Sequence, residues 1–335
     1  MRRIFVVPLF LLFCNFGKYV HTIINSNVVK ICANNRVFND IFTNAKKNEF
    51  INRAAEPDER KWKDHSEKTK HFFHYNLYNE KMLKKFIPYD EFLKRLEKNF
   101  KENVKTNIVD VDKASKNISK FVKSHGELPW SILETINKLK GLVKERKSLF
   151  ENKKNLINKK NATTDDEKET KKLINEIDKN ISDTDKKILY ECINLAHYVA
   201  DLFTPLHLNA YYDGKYYLQN GIHSFWETLL PVQCKGNYKL ELINLKGEIR
   251  KFGLENYIFK LMKDSYDLSE KILEEESGTI FEKYKRTRPD IYYEKRFLRK
   301  EYKVFADQYF HDDTAKQISL AISFIVYLFN NLIFV

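Results

Sequence analysis

Glycine and proline are scarce in this chain, 9 and 7 among 335 residues, against usual shares of about 7% and 5%. Tight turns rely on these two residues, one for positive φ and the other for a fixed φ. Sandwiches, propellers and other folds built from many short strands are therefore disfavoured, and long helices with few corners remain. Apolar residues at 43% and charged residues at 31% supply an ample core and exclude both wholesale disorder and a polytopic membrane protein. The expected fold class is all-α: a single mainly helical domain with at most one small hairpin.

Helical periodicity recurs along the chain. Ile132, Ile136, Leu139 and Val143 share a face, on a helix expected to begin near Pro129-Trp130. Ile188, Leu189, Cys192, Leu195, Ala196, Val199 and Phe203 share another, which should end at Thr204-Pro205 because proline cannot continue a helix. Leu254, Tyr257, Ile258, Leu261 and Met262 form a third, extended by Leu268, Ile272 and Leu273. Residues 211–219 (YYDGKYYLQ) could make the small hairpin around Asp213-Gly214. Residues 151–187 are charged and poor in large apolar side chains, so they form either a solvated loop or a long polar helix inserted into the domain.

The ends of the chain carry their own signals. Arg2-Arg3 followed by the apolar run from Ile4 to Phe13 reads as a secretory signal over residues 1–15, too short for the ~20 residues of a membrane-spanning helix. The mature domain would then be residues 16–335, in an oxidising secretory compartment. Cys32, Cys192 and Cys234 would survive cleavage, enough for one disulfide at most. Asn117, Asn161 and Asn180 lie in N-x-Ser/Thr sequons, which makes a glycoprotein the expectation in a glycosylating host. The stretch from Ile318 to Val335 is apolar, but Ile318, Ala321, Ile325 and Leu328 keep helical spacing. It reads as a buried closing helix rather than a tail anchor.

A formal net charge of +13 favours anionic partners, nucleic acid or phospholipid headgroups. The lysines are dispersed, so a generally lysine-decorated surface accounts for the same excess.

Chemistry concentrates between residues 195 and 231. His197 and Asp201 are four apart, His207 follows the proline break, and His223 and Glu227 are again four apart. On a helix such pairs project from one face and can grip one ion through nitrogen and oxygen. With 9 histidines and 46 acids in 335 residues, chance supplies about one His-x-x-x-acid pair. Two in one short window, with a third histidine between them, exceed that expectation.

This window resembles the zinc-dependent class I nucleases (fungal single-strand nucleases and plant bifunctional nucleases) and their relatives, the bacterial zinc phospholipases C. The family pattern is H-x-x-x-D, then P-L-H, then H-x-x-W-[DE]-T. The chain has His197-Tyr-Val-Ala-Asp201, Pro205-Leu206-His207 and His223-Ser-Phe-Trp226-Glu227-Thr228. A Pro-Asp pair followed by His-Phe is matched by Pro57-Asp58 and His71-Phe72, with His65 and His74 as rivals to His71. The family's N-terminal W-G-x-x-G-H is similar to Phe16-Gly17-Lys18-Tyr19-Val20-His21, given cleavage between Asn15 and Phe16. The departures are the charged insertion, a shortened segment before the H-x-x-W motif, and Glu227 where nucleases usually carry Asp.

The resemblance implies a fold of the zinc phospholipase C/nuclease type and three zinc ions. Asp58, His71, His197 and Asp201 would hold the first. His207, His223 and Glu227 would hold the second, and Phe16 main chain, His21 and a shared Asp201 the third. It implies a metal-activated hydroxide at a trinuclear site, with Asp58 and Asp201 as its catalytic carboxylates, cleaving single-stranded DNA and RNA to 5′-phosphorylated products. Phe72 or Phe73 would stack a base or pack a lipid headgroup. The alternatives are a phospholipase C on phosphatidylcholine-like lipids and a non-catalytic secreted zinc protein. A monomer without a transmembrane anchor is expected, secreted or in an endolysosomal or vacuolar compartment.

Overall fold

The computed structural model describes residues 18–160, 167–216, 218–233, 237–287 and 293–335. The expected signal segment 1–15, the ligand candidate Phe16, the sequon residue Asn161 and Cys234 lie outside them. The described chain is all-α. Its only β pairing among those residues is an isolated bridge between Tyr78 and Val104.

Helix α1 (Lys18–Ile31) buries His21, Ile24, Asn25 and Val28, one stripe at helical spacing that carries a site residue into the core. The five-residue α2 (Glu56–Arg60) starts with Pro57 in its first turn, where the missing N–H costs nothing. Helices α3 (Leu128–Lys160) and α4 (Glu167–Leu202) pair antiparallel. Arg146 meets Asp185 at 2.5 Å and Lys153 meets Asp178 at 2.5 Å, partners that run in opposite order along the two helices.

The root of this pair is core. Ile132, Ile136 and Leu139 of α3 and Ile188, Leu189, Cys192, Leu195 and Val199 of α4 are all buried, each aliphatic side chain adding about 1.5–3 kcal/mol of transfer energy. The described part of the 151–187 insertion is the distal part of the same pair, a polar helical arm. Phe150, Ile157 and Leu173 are exposed there. Helix α4 stops at Leu202, just before Thr204-Pro205, as proline requires.

Helix α5 (Leu254–Glu275) and helix α6 (Lys300–Leu328) complete the frame. The segment Lys300–Ile333 is long and apolar enough to cross a bilayer, yet 61% of its most apolar stretch is buried inside the fold. Ile318, Ala321, Ile325 and Leu328 face the core, and Asn35 donates to Asn330 Oδ1 at 2.9 Å and to the Phe334 carbonyl at 3.1 Å. This is the closing helix the spacing predicts.

The hairpin expected at 211–219 is not formed among its described residues, which make turns instead. Gln219 is the reason. Its side-chain carbonyl accepts the backbone N–H groups of Lys215 and Tyr216 at 3.1 and 3.0 Å, donors that a ladder would need. Cys32 and Cys192 are buried free thiols, and burial pushes the Cys32 thiol up to about 12.

Candidate metal centre

Segments remote in sequence deliver the donors. α1 brings His21, α2 brings Asp58, a 3₁₀ turn at Thr69–His71 brings His71, and the last turns of α4 bring His197 and Asp201. A second 3₁₀ turn, Pro205–Leu208, presents His207. His223 sits on the short helix Ile222–Ser224, and Glu227 lies in the π-helical turn Phe225–Leu229 that continues it. Single π turns of this kind are frequent at functional sites.

Backbone locks hold these pieces in register. His207 Nδ1 donates to the His71 carbonyl at 2.7 Å, and the Phe73 N–H returns to the His207 carbonyl at 3.0 Å. His197 Nδ1 donates to the Ala54 carbonyl at 2.9 Å. Both rings therefore direct Nε2 inward, the nitrogen a metal would take once its proton has left. Gly126, at φ +98, lets the chain pass the His71–Phe73 segment. A Cβ there would lie 1.9 Å from the Phe72 carbonyl oxygen.

Four donor atoms define the first group: His71 Nδ1, His197 Nε2, Asp58 Oδ1 and Asp201 Oδ2. The two nitrogens are 3.1 Å apart. Asp201 Oδ2 lies 2.9 Å from His71 and 3.3 Å from His197, and Asp58 Oδ1 lies 3.6 and 3.5 Å from the same rings. A tetrahedron with metal–ligand bonds of about 2.0–2.1 Å has edges of about 3.3–3.4 Å. The five measured separations scatter around that value.

In the second group, Glu227 Oε2 is 3.2 Å from His223 Nε2 and 3.8 Å from His207 Nε2. Three donors leave one position of a tetrahedral ion unfilled by these residues, and the His223 side chain is partly exposed. The third group centres on His21, whose Nε2 is 3.7 Å from Asp201 Oδ1 and 3.8 Å from Glu227 Oε1. Its ring stacks on His197 with centroids 4.1 Å apart. Asp201 thus serves two groups through separate oxygens, as the resemblance implies. Glu227 does the same, which the resemblance does not imply. His21, Asp58 and Glu227 also come together as a donor set.

These residues fit cations. Among the described residues, Asp201 Oδ1 and His223 Nε2 are buried and lack a hydrogen-bond partner while facing the clusters. Burial works against the charge on Asp201, yet His197 and His207 hold its carboxyl well below the ordinary range. For Glu227, burial is likewise outweighed by the neighbouring imidazoles of His207, His21 and His223. Burial also opposes charge on His207, but Asp201 and then Glu227 prevail and push it up to about 9. Three desolvated carboxylates converging with histidines form a pocket that stabilises positive charge.

Eight of the nine candidate ligands therefore converge, and Phe16 lies outside the described residues. The rivals to His71 do not join them. His65 is exposed, and His74 stacks on Phe72 at 4.9 Å, with burial and then His125 and His207 pushing it down to about 3. Phe73 is a correction. It is wholly buried against Tyr78, Phe92 and Trp130, so no substrate reaches it. Phe72 stays partly exposed beside His71.

Two further residues have no place in the motif reading. Lys61 Nζ lies 2.6 Å from Asp58 Oδ1, its ammonium stabilised by Asp58, Glu227 and Asp201 against the cost of burial. Glu67 stands behind His71, 3.7 Å from Nε2, and accepts from Tyr198 at 2.6 Å and Arg60 at 3.1 Å. A search for acids four residues before a histidine, rather than after, would have found it.

No protein-family model, curated protein or solved structure matches the chain. The functional reading therefore rests on residues and geometry.

Proposed function

We propose that this protein is a secreted zinc-dependent phosphodiesterase that hydrolyses single-stranded DNA and RNA to 5′-phosphorylated products, a class I nuclease in kind. The observation that carries the reading is the convergence of His71, His197, Asp58 and Asp201 donors, whose five measured separations span 2.9–3.6 Å. Nitrogen and oxygen donors at that spacing suit zinc. Secretion is inferred from Arg2-Arg3 and the apolar run after it.

Bound zinc would supply Lewis acidity toward phosphoryl oxygens and a water acidic enough to attack phosphorus near neutral pH. The chain's own residues supply the rest. Asp201 ties two donor groups together through its two oxygens, which keeps their centres close. The three-donor group of His207, His223 and Glu227 leaves room for a substrate oxygen. Lys61, hydrogen-bonded to Asp58, adds a fixed positive charge where a phosphoryl group would gain negative charge. Phe72 offers a ring face beside His71, and a cleft that stacks a splayed base excludes a paired one.

The test is purified protein with zinc and a labelled single-stranded oligonucleotide, with and without a chelator. Chelator-sensitive cleavage leaving 5′-phosphates is expected, and its absence removes the nuclease reading. Glu227, a glutamate where the nuclease pattern usually has aspartate, favours phospholipase C as second reading. Phosphocholine release from mixed micelles faster than oligonucleotide cleavage would establish it. Tightly bound zinc with neither hydrolysis would instead indicate a binding protein.

A further inference from the structure

Residues 237–245 form neither helix, turn nor bend, so the chain runs straight as it passes α6. Two buried serines hold it there. Ser319 Oγ accepts the Glu241 N–H at 3.1 Å, and Ser323 Oγ accepts the Ile243 N–H at 2.9 Å. Four helical residues rise about 6 Å and two extended residues span about 6.6–6.8 Å, so the two spacings match. Ser323 donates its own proton to the Ser319 carbonyl at 2.7 Å, which leaves its lone pairs for the strand. Tyr238 and Leu245 are buried at the two ends of the segment, and Leu240 packs partly on the core.

One edge of this segment is thus engaged by α6 and the other is not. In an extended chain, alternate residues direct N–H and C=O to the same edge. Glu241 and Ile243 face α6, so Leu240 and Leu242 face away from it. Among the described residues, no backbone group pairs with the N–H of either. The surroundings are apolar and open, with Leu242 exposed by 58% and Ile243 by 36%. A straight segment with a free edge is a template for a further strand. The serines order it in advance, which lowers the cost of pairing.

Charge selects the occupant. A lysine on a free edge ordinarily discourages pairing. Here Lys239 is followed two residues on by Glu241, and both project from the exposed face, 2.9 Å apart. Antiparallel pairing of the segment with its own copy, centred on Leu240, sets each Lys239 opposite the other copy's Glu241. Centring at Lys239 or at Glu241 would set like charges opposite, and centring at Leu242 would set Glu241 against Ile243. The register that answers both charges also makes Leu240, on the free edge, the hydrogen-bonded pair at its centre.

We propose that residues 238–242 pair antiparallel with the same segment of a second copy, about a two-fold axis at Leu240, to form a homodimer. This departs from the monomer expected from sequence. It is independent of what the metal centre hydrolyses, since residues 237–245 carry none of the donors. So short a contact buries less than the ~1,200 Å² of a standard interface, and the dimer forms and dissociates with concentration.

The experiment is sedimentation equilibrium of the full chain from micromolar to submillimolar concentration. Average mass should rise from that of one chain toward that of two. Lys239→Glu and Glu241→Lys should each weaken self-association at least about fivefold, because like charges then oppose at both cross-strand pairs. Both side chains are exposed and their pairing within one chain stabilises little, so each variant should melt with the parent. Mixing the two variants should restore association as a heterodimer, in which every glutamate again meets a lysine. A single-chain mass at every concentration overturns the proposal and leaves the edge to a strand of another protein. Dimers indifferent to both charge reversals, or no heterodimer from the mixture, place the contact on another surface and overturn it equally.

Discussion

His71 meets the donor cluster through Nδ1 and turns Nε2 outward, where no hydrogen-bond partner lies within reach and Glu67 Oε1 stands 3.7 Å away. A metal ligand whose second nitrogen faces a carboxylate is oriented and made more basic by it. Replacing Glu67 with Gln should therefore weaken zinc binding about 10–100-fold without removing a ligand. Competition against a chromophoric chelator measures this, and unchanged affinity would reduce Glu67 to a partner of Arg60 and Tyr198. A second prediction concerns protons. The metal-free pocket holds His207 up at about 9, so near neutral pH an incoming ion must displace that proton. Apparent zinc affinity should rise by up to about tenfold per pH unit from about pH 7 to 9, then level off. For folding without metal the sign is reversed: this raised group stabilises below its unfolded value of about 6.5, and the benefit fades as pH rises through 9. Chelator competition and thermal melts across that range should thus move oppositely. The histidine–acid pairs were legible because each lies on one helical stretch four residues apart. Lys61 and Glu67 were not, because their roles depend on which way short turns face, and periodicity does not report that.

At the scale of elements, the long helices follow directly from apolar spacing, and α4 ends where proline forces it to. The 211–219 stretch was read as a possible hairpin because its Asp-Gly between tyrosine pairs satisfies a local rule, while the deciding group is Gln219, anchored from below by α5 and Glu276. Such a brace is invisible locally. Glu276 and Arg296 are both fully buried, paired at 2.8 Å, with Tyr302 also donating to the carboxylate. Arg296 lies over the Phe281 and Phe297 rings at 4.3 and 4.4 Å. Removing one partner strands the other charge, so Arg296→Met should cost about 3–5 kcal/mol in urea unfolding of the zinc-loaded protein. Adding Glu276→Leu to it should recover part of that loss. A single variant as stable as the parent would show that the pair is not what holds the turn.

For the whole molecule, the arm of α3 and α4 poses the question of what the insertion is for. The metal donors of α4, His197 and Asp201, lie at the end packed into the core, whereas Lys153 and Asp178 meet far out along the arm. Side chains beyond that pair are mostly exposed, including Ile157 and Leu173. Their removal forfeits little burial, and shortening a connection lowers its closure entropy. Replacing residues 154–177 with a turn of about four residues should leave zinc stoichiometry, melting temperature and oligonucleotide cleavage close to those of the parent. Elemental analysis, calorimetry and the chelator-controlled assay check this together. The charged composition of 151–187 made the segment recognisable as an insertion, but it could not separate a loop from a helix, because solvated helices lack an apolar stripe by nature. If the shortened chain lost zinc while keeping its melting temperature, the arm would be acting on the centre through α4 itself, and the division between a donor-bearing root and a dispensable tip would fail.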